Sequence, residues 1–160
     1  IYEFVADIMV TTKKSKNKKE AYKRIDEVIK NGKAYQCFKK WAIAQGSTEQ
    51  ILNSEIFRPA YKHEVKANKS GYVQYASAKE VGMISCLLGA GRIKKEDIVD
   101  PQAGIYLNKA YNDKVKKGET LATLYSSNPI PKELVKRFLD NTMYSNHKYP
   151  NEKPILEVIK

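Results

Sequence analysis

The chain has 160 residues, 42% of them apolar, and a formal net charge of +11. That length fits one ordinary domain, or one domain with a helical extension, and the apolar share excludes a disordered chain. No apolar run approaches the roughly 20 residues a bilayer helix needs, and the first residues lack the order of a secretory signal, so the chain reads as cytoplasmic. Cys37 and Cys86 form no CxxC pair; their helix-like contexts predict inert core thiols rather than a disulfide framework or a zinc motif. The sequence opens Ile1-Tyr-Glu-Phe-Val without an initiator Met, inside an amphipathic pattern, which reads as a chain joined in progress.

The charge is unevenly spread. Residues 13–40 hold 11 basic and 3 acidic residues, whereas residues 41–160 contribute only +5. Of the basic residues 25 are Lys and four are Arg (Arg24, Arg58, Arg92, Arg137), and Lys13-Lys-Ser-Lys-Asn-Lys-Lys contains no aromatic. Nucleic-acid readers favour the Arg fork and interleave aromatics, so the segment reads as a solvated linker and helix face, with weak polyanion attraction as the other possibility.

Ile1, Val5, Ile8 and Met9 follow helical spacing and predict a helix to about residue 10 with one buried stripe. Asn17 and Glu20 have capping-box spacing and open a second helix with Ala21, Tyr22, Ile25, Val28 and Ile29 on one face and Gly32 as its stop. A third, from about Lys33 to Gln45, carries Ala34, Cys37, Phe38, Trp41 and Ala42 on its apolar face; Ser47 with Gln50 could cap a further short turn.

Beyond residue 54 the pattern changes, and all six prolines lie at or after Pro59. Tyr61 to Ala67 alternates and predicts a half-buried strand, the turn Asn68–Gly71 leads into a second strand at Tyr72–Tyr75, and Ser77 with Glu80 caps a helix facing the core through Val81, Ile84, Leu87 and Leu88. Gly104–Leu107 is a candidate buried strand, Asp113–Tyr125 reads as strand, turn at Lys117-Gly118 and strand, Pro131 opens a helix, and Ile155–Ile159 is a last strand. The domain reading is a helical segment 1–53, a linker 54–62 and an α+β subdomain 63–160.

Gly89-Ala-Gly91-Arg92 follows its helix instead of preceding it, which predicts a C-terminal cap rather than a phosphate cradle, since the free backbone N–H groups lie at the other helix end. Arg92, Lys94 and Lys95 make the loop a candidate anion-facing lid. Asp97 and Asp100 could pair, with a solvated acidic turn as the commoner meaning. His63 and His147 lack any neighbouring motif that would orient them, and Cys37, His63, Cys86 and His147 show no metal spacing. The segment Ile105–Ala122 is similar to the strand-turn-strand of biotinyl and lipoyl domains, but Thr123–Asn128 offers no lysine for attachment, which argues against a carrier.

Four ordered blocks, Ala34–Gly46, Glu64–Val73, Leu87–Asp97 and Asp113–Tyr125, together resemble the C-terminal third of a thymidine or pyrimidine-nucleoside phosphorylase, and Ile155–Ile159 resembles that family's closing strand. Asn112 stands where the family usually has Gly, so the turn before Asp113 is expected to differ in detail. The resemblance implies N-terminal helices followed by a hammerhead, barrel-sandwich-like mixed β subdomain with helices. It also implies reversible phosphorolysis of a pyrimidine nucleoside to free base and pentose 1-phosphate, without metal or cofactor, by a homodimer with no membrane or specific nucleic-acid partner. The family's catalytic groups lie upstream of Ile1, so the fragment by itself is expected to be inactive and its partner is the N-terminal remainder of the polypeptide. Gly89, Gly91, Arg92, Lys94 and Lys95 are then candidates for a loop facing the substrate cleft. The alternative is a stand-alone lysine-rich module binding RNA or an acidic partner.

Overall fold

The computed structural model describes residues 1–53 and 56–150. The strand expected over Ile155–Ile159 lies outside the described residues. The chain divides into two compact units, Ile1–Ile56 and Phe57–Lys160.

The first unit is helical: α1 (Tyr2–Thr11), α2 (Lys18–Lys30), α3 (Lys33–Ala44) and the short α4 (Glu49–Asn53). Asn17 caps α2, its side chain accepting from the Glu20 amide at 3.0 Å, while the Glu20 carboxylate accepts from the Lys16 amide at 2.9 Å. Ala6 and Ala21 are fully buried where α1 meets α2, with Ile25, Met9 and Tyr22 packed around them; small side chains let the two backbones approach. A polar set fastens the same seam. The Glu3 carboxylate accepts from the Lys18 ammonium and the Tyr22 hydroxyl, and Asp7 pairs with Lys18 at 2.8 Å. These bonds hold the Glu3 carboxyl below its ordinary range and the Lys18 ammonium above its own.

The lysine segment is more ordered than a linker. Lys13 takes a left-handed φ of 58°, the amides of Lys14 and Ser15 both donate to the Met9 carbonyl, and Ser15 is buried, while Lys13, Lys14, Lys16 and Lys19 remain exposed. Three expectations for this unit fail. Of the stripe expected to be buried on α1, Ile1, Val5 and Ile8 are exposed, and the buried residue is Ala6. Thr48, not Ser47, caps α4, accepting from the Ile51 amide at 3.2 Å. Cys37 is exposed rather than a core thiol, because only Ala42 of the apolar face of α3 is buried, and Phe38 and Trp41 remain 48% and 61% exposed.

The second unit holds two three-stranded sheets, ordered β1-β5-β3 and β4-β2-β6, with β1 Tyr61–Lys66, β2 Gly71–Tyr75, β3 Gly104–Leu107, β4 Lys114–Val115, β5 Thr120–Ser126 and β6 Thr142–Ser145. Every described pairing is antiparallel, where a mixed subdomain was expected; the class is α+β as read from the sequence. Consecutive strands separate: β1 and β2 fall in different sheets, as do β4 and β5. The chain crosses between sheets where the Ala67 amide donates to Glu119 and the Gly118 amide to Ala67, both at 2.8 Å.

Both sheets and the helices α5 (Ala78–Ser85) and α6 (Lys132–Asp140) feed one core, in which Val65, Val73, Ile84, Leu121, Leu124 and Phe138 are almost wholly buried. Full burial of such side chains contributes about 1.5–3 kcal/mol each. Ser77 caps α5 by accepting from the Glu80 amide at 3.2 Å, but the Glu80 side chain turns to Arg137 on α6 at 2.7 Å. Strand β3 is less buried than expected, with Tyr106 63% and Leu107 43% exposed, because it is the edge of its sheet. Likewise β1 is an edge strand with only Val65 buried, not half-buried throughout, and Leu87 is largely exposed.

Candidate functional site

After α5 the chain widens into a π-helical turn, Cys86–Ala90, in which Gly89 adopts a φ of 113°. Its Cα faces Asp100 so closely that a Cβ there would stand 3.0 Å from the Asp100 Cβ, and a Cβ on Gly91 would stand 2.5 Å from the Cys86 Sγ. Both glycines therefore serve close approach within the protein. The carbonyl of Gly89 accepts from the Asp100 amide at 2.8 Å, so the loop from 90 to 99 begins and ends at one neck.

Asp97 and Asp100 do not pair; each binds backbone. Asp97 Oδ2 accepts from the amides of Ile93 and Lys94 at 2.9 and 2.8 Å, which fixes the turn immediately after Arg92. The two backbone bonds, with a smaller contribution from the Arg92 charge, keep this carboxyl below its ordinary range. Asp100 accepts from the Ser127 amide at 2.8 Å, the Ser127 hydroxyl at 2.9 Å and the Gln102 amide at 2.9 Å, and is likewise held low.

Arg92, Lys94 and Lys95 all face solvent on this one loop, and no hydrogen bond or ion pair engages their side chains among the described residues. Three solvent-facing cations on a clasped loop, of which Arg92 also feels the Asp97 charge, can receive an anion. His63 is exposed on β1 and His147 lies beside the Tyr149 ring at 5.0 Å, so the structure does not bring the histidines to the loop. Among the described residues no three His, Cys, Asp or Glu side chains gather as a metal site, and no helix is long and apolar enough to cross a membrane. Ser127 has no sequence signal of its own; it joins the loop only because β5 ends beside the neck.

Residues 72–145, from β2 through β6, match the pyrimidine nucleoside phosphorylase C-terminal domain family. The chain is also 44% identical over 151 residues to the thymidine phosphorylase of Metamycoplasma hominis, across 93% of this chain and 56% of that protein. The chain is similar to the C-terminal part of thymidine and pyrimidine-nucleoside phosphorylases. It is 42% identical over 136 residues to the thymidine phosphorylase of Mycoplasmoides pirum, across 84% of this chain and 32% of the relative. With the pyrimidine-nucleoside phosphorylase of Bacillus subtilis it shares 39% identity over 138 residues, across 85% of this chain and 32% of the relative. The chain thus spans from about a third to about half of the length of these relatives. None of them supports the stand-alone RNA- or acidic-partner-binding module.

The phosphorylase C-terminal domain contains the whole of the loop and its clasp, Gly89 through Ser127. Its Asn112, expected to alter the turn before Asp113, takes a left-handed φ of 69°, the region a glycine would occupy. Asn tolerates this conformation better than most residues.

Proposed function

We propose that this chain is the C-terminal part of a pyrimidine-nucleoside phosphorylase that exchanges the base of thymidine or uridine for phosphate, yielding free base and pentose 1-phosphate. The observation that carries the reading is the 44% identity to a thymidine phosphorylase over nearly the whole chain. Phosphorolysis asks the protein to hold phosphate in line with the anomeric carbon and to stabilise charge on the departing base. In this reading the groups that do so belong to the N-terminal remainder of the polypeptide, and the 160-residue chain alone is inactive. The full-length protein is a cytoplasmic homodimer that works without metal or cofactor.

The contribution of this part is the loop carrying Gly89, Gly91, Arg92, Lys94 and Lys95, which approaches the substrate cleft as it closes. Its support is the cluster of solvent-facing cations on a backbone clasped at both ends. The test is an assay of phosphate-dependent release of thymine and uracil, run on the 160-residue chain and on the same chain extended upstream to the length of its relatives. Activity is expected only in the extended protein, where Arg92→Ala raises the KM or slows turnover. Activity in the short chain overturns the first reading, and unchanged kinetics in Arg92→Ala overturns the second.

A further inference from the structure

We propose that Asp100 is a positioning residue whose carboxylate fixes the loop 90–99 and thereby the place of Arg92. This rests on the reading that the loop approaches substrate. The loop ends are joined twice. The Asp100 amide donates to the Gly89 carbonyl at 2.8 Å, and a side chain at the left-handed Gly89 would crowd Asp100, its Cβ 3.0 Å from the Asp100 Cβ. The Asp100 carboxylate then uses both oxygens on three donors, the Ser127 amide and hydroxyl and the Gln102 amide, all at 2.8–2.9 Å.

The strand end holds the same neck from its other side, because the buried Ser126 hydroxyl donates to the Leu88 carbonyl at 3.0 Å. Residues 88–89, 100–102 and 126–127 are therefore one clasp, closed by a single charged side chain. Charge-assisted bonds of this kind are about twice as strong as neutral ones, and the carboxylate alone supplies three of them. Asp97 shapes the turn after Arg92, but Asp100 sets where that turn stands relative to β5. Asp100 binds no cation of the loop, so it orders Arg92 without neutralising it.

Asp100→Asn keeps the size of the side chain and removes its charge and one acceptor; Ser127→Ala removes only the hydroxyl bond. Limited trypsin cleavage after Arg92, Lys94 and Lys95 reads the loop, with cleavage at the exposed Lys116–Lys117 turn as internal reference. Loop cleavage is expected to rise about tenfold in Asp100→Asn and less in Ser127→Ala, at an unchanged reference, the scale of losing a charge-assisted hydrogen bond. In the extended enzyme, Asp100→Asn raises the KM as Arg92→Ala does, and the double variant raises it no further. Unchanged loop cleavage in both variants, or KM effects that multiply in the double variant, overturns the proposal. If Arg92→Ala alters kinetics while the clasp variants alter nothing, the loop reading stands and Asp100 alone is rejected. If Arg92→Ala alters nothing, the loop reading is rejected whatever the cleavage shows, and the role of Asp100 in positioning it falls too.

Discussion

The side-chain amide of Asn112 clasps the backbone of Tyr149: its Nδ2 donates to the Tyr149 carbonyl at 3.0 Å and its Oδ1 accepts from the Tyr149 amide at 3.1 Å. Asn112 is buried and left-handed at once, so the residue does two jobs that substitution separates. Asn112→Gly keeps the backbone and loses both bonds, a cost of about 1–2 kcal/mol. Asn112→Ala loses the bonds and adds the left-handed penalty of about 1–2 kcal/mol for a residue with a Cβ. The flexibility that glycine adds to the unfolded chain recovers only about 0.4–1 kcal/mol of that difference. Urea unfolding should rank the wild type above Asn112→Gly and Asn112→Gly above Asn112→Ala. Equal stability of the two variants would mean the turn does not require the left-handed backbone.

Gly91 and Cys86 make a second separable pair. A Cβ on residue 91 meets the Cys86 Sγ at 2.5 Å but the Cys86 Cβ at only 3.4 Å, an ordinary contact. Gly91→Ala should therefore destabilise by about 1–3 kcal/mol through overpacking, and Cys86→Ala in the same chain should recover most of it. A double-mutant cycle by denaturant unfolding checks this. An equal loss from Gly91→Ala with cysteine or alanine at position 86 would refute the steric account.

What the sequence made legible was local. Asn17 and Ser77 cap their helices through bonds three residues away, and the buried Leu134 and Phe138 of α6 follow from spacing alone, whereas of the face read on α2 Ala21 and Ile25 are buried and Val28 and Ile29 are exposed. Partnership between strands was not legible, because β1 and β4 each lead through a short turn into a strand of the other sheet. Nor was β6, whose Thr142–Ser145 offers only Met143 and Tyr144 as an apolar signal. The loop residues Gly89, Gly91 and Arg92 stood out by type, whereas the acceptor role of Asp100 depends on Ser127, 27 residues away and placed beside it only by the fold.

On the edge strand β1, Glu64 accepts from Lys66 at 2.6 Å and from Thr120 at 3.1 Å, with Lys62 at 3.4 Å. The Lys66 bond, then the Thr120 bond, then the lysine charges pull this carboxyl down to about 2. A depressed carboxylate contributes stability above its unfolded value near 4.5 and loses it as the pH falls toward about 2. Both lysine partners are exposed, so salt screens them. The gap in Tm between wild type and Glu64→Gln should be small at pH 7, shrink further by pH 3, and shrink with added salt. A gap that grows on acidification would contradict this electrostatic origin. The charged edge also discourages another strand from pairing there.

Tyr75 joins the core to the turn before β4: its ring meets Phe138 edge-on at 5.7 Å and its hydroxyl donates to the Lys109 carbonyl at 2.7 Å. Burial, with the nearby Tyr144 and Asp113, pushes the phenol up to about 12. A raised phenol favours the protonated form in the folded state, so its contribution is complete below the unfolded value near 10 and is lost as the pH rises toward about 12. Tyr75→Phe keeps the ring and removes the bond, which should cost about 1 kcal/mol at pH 7. The gap between wild type and variant should close between pH 10 and 12, and the variant should lack the latest component of the alkaline tyrosine absorbance titration. A gap that persists at pH 12, with that late component still present in Tyr75→Phe, would assign the high-titrating phenol to another of the 11 tyrosines.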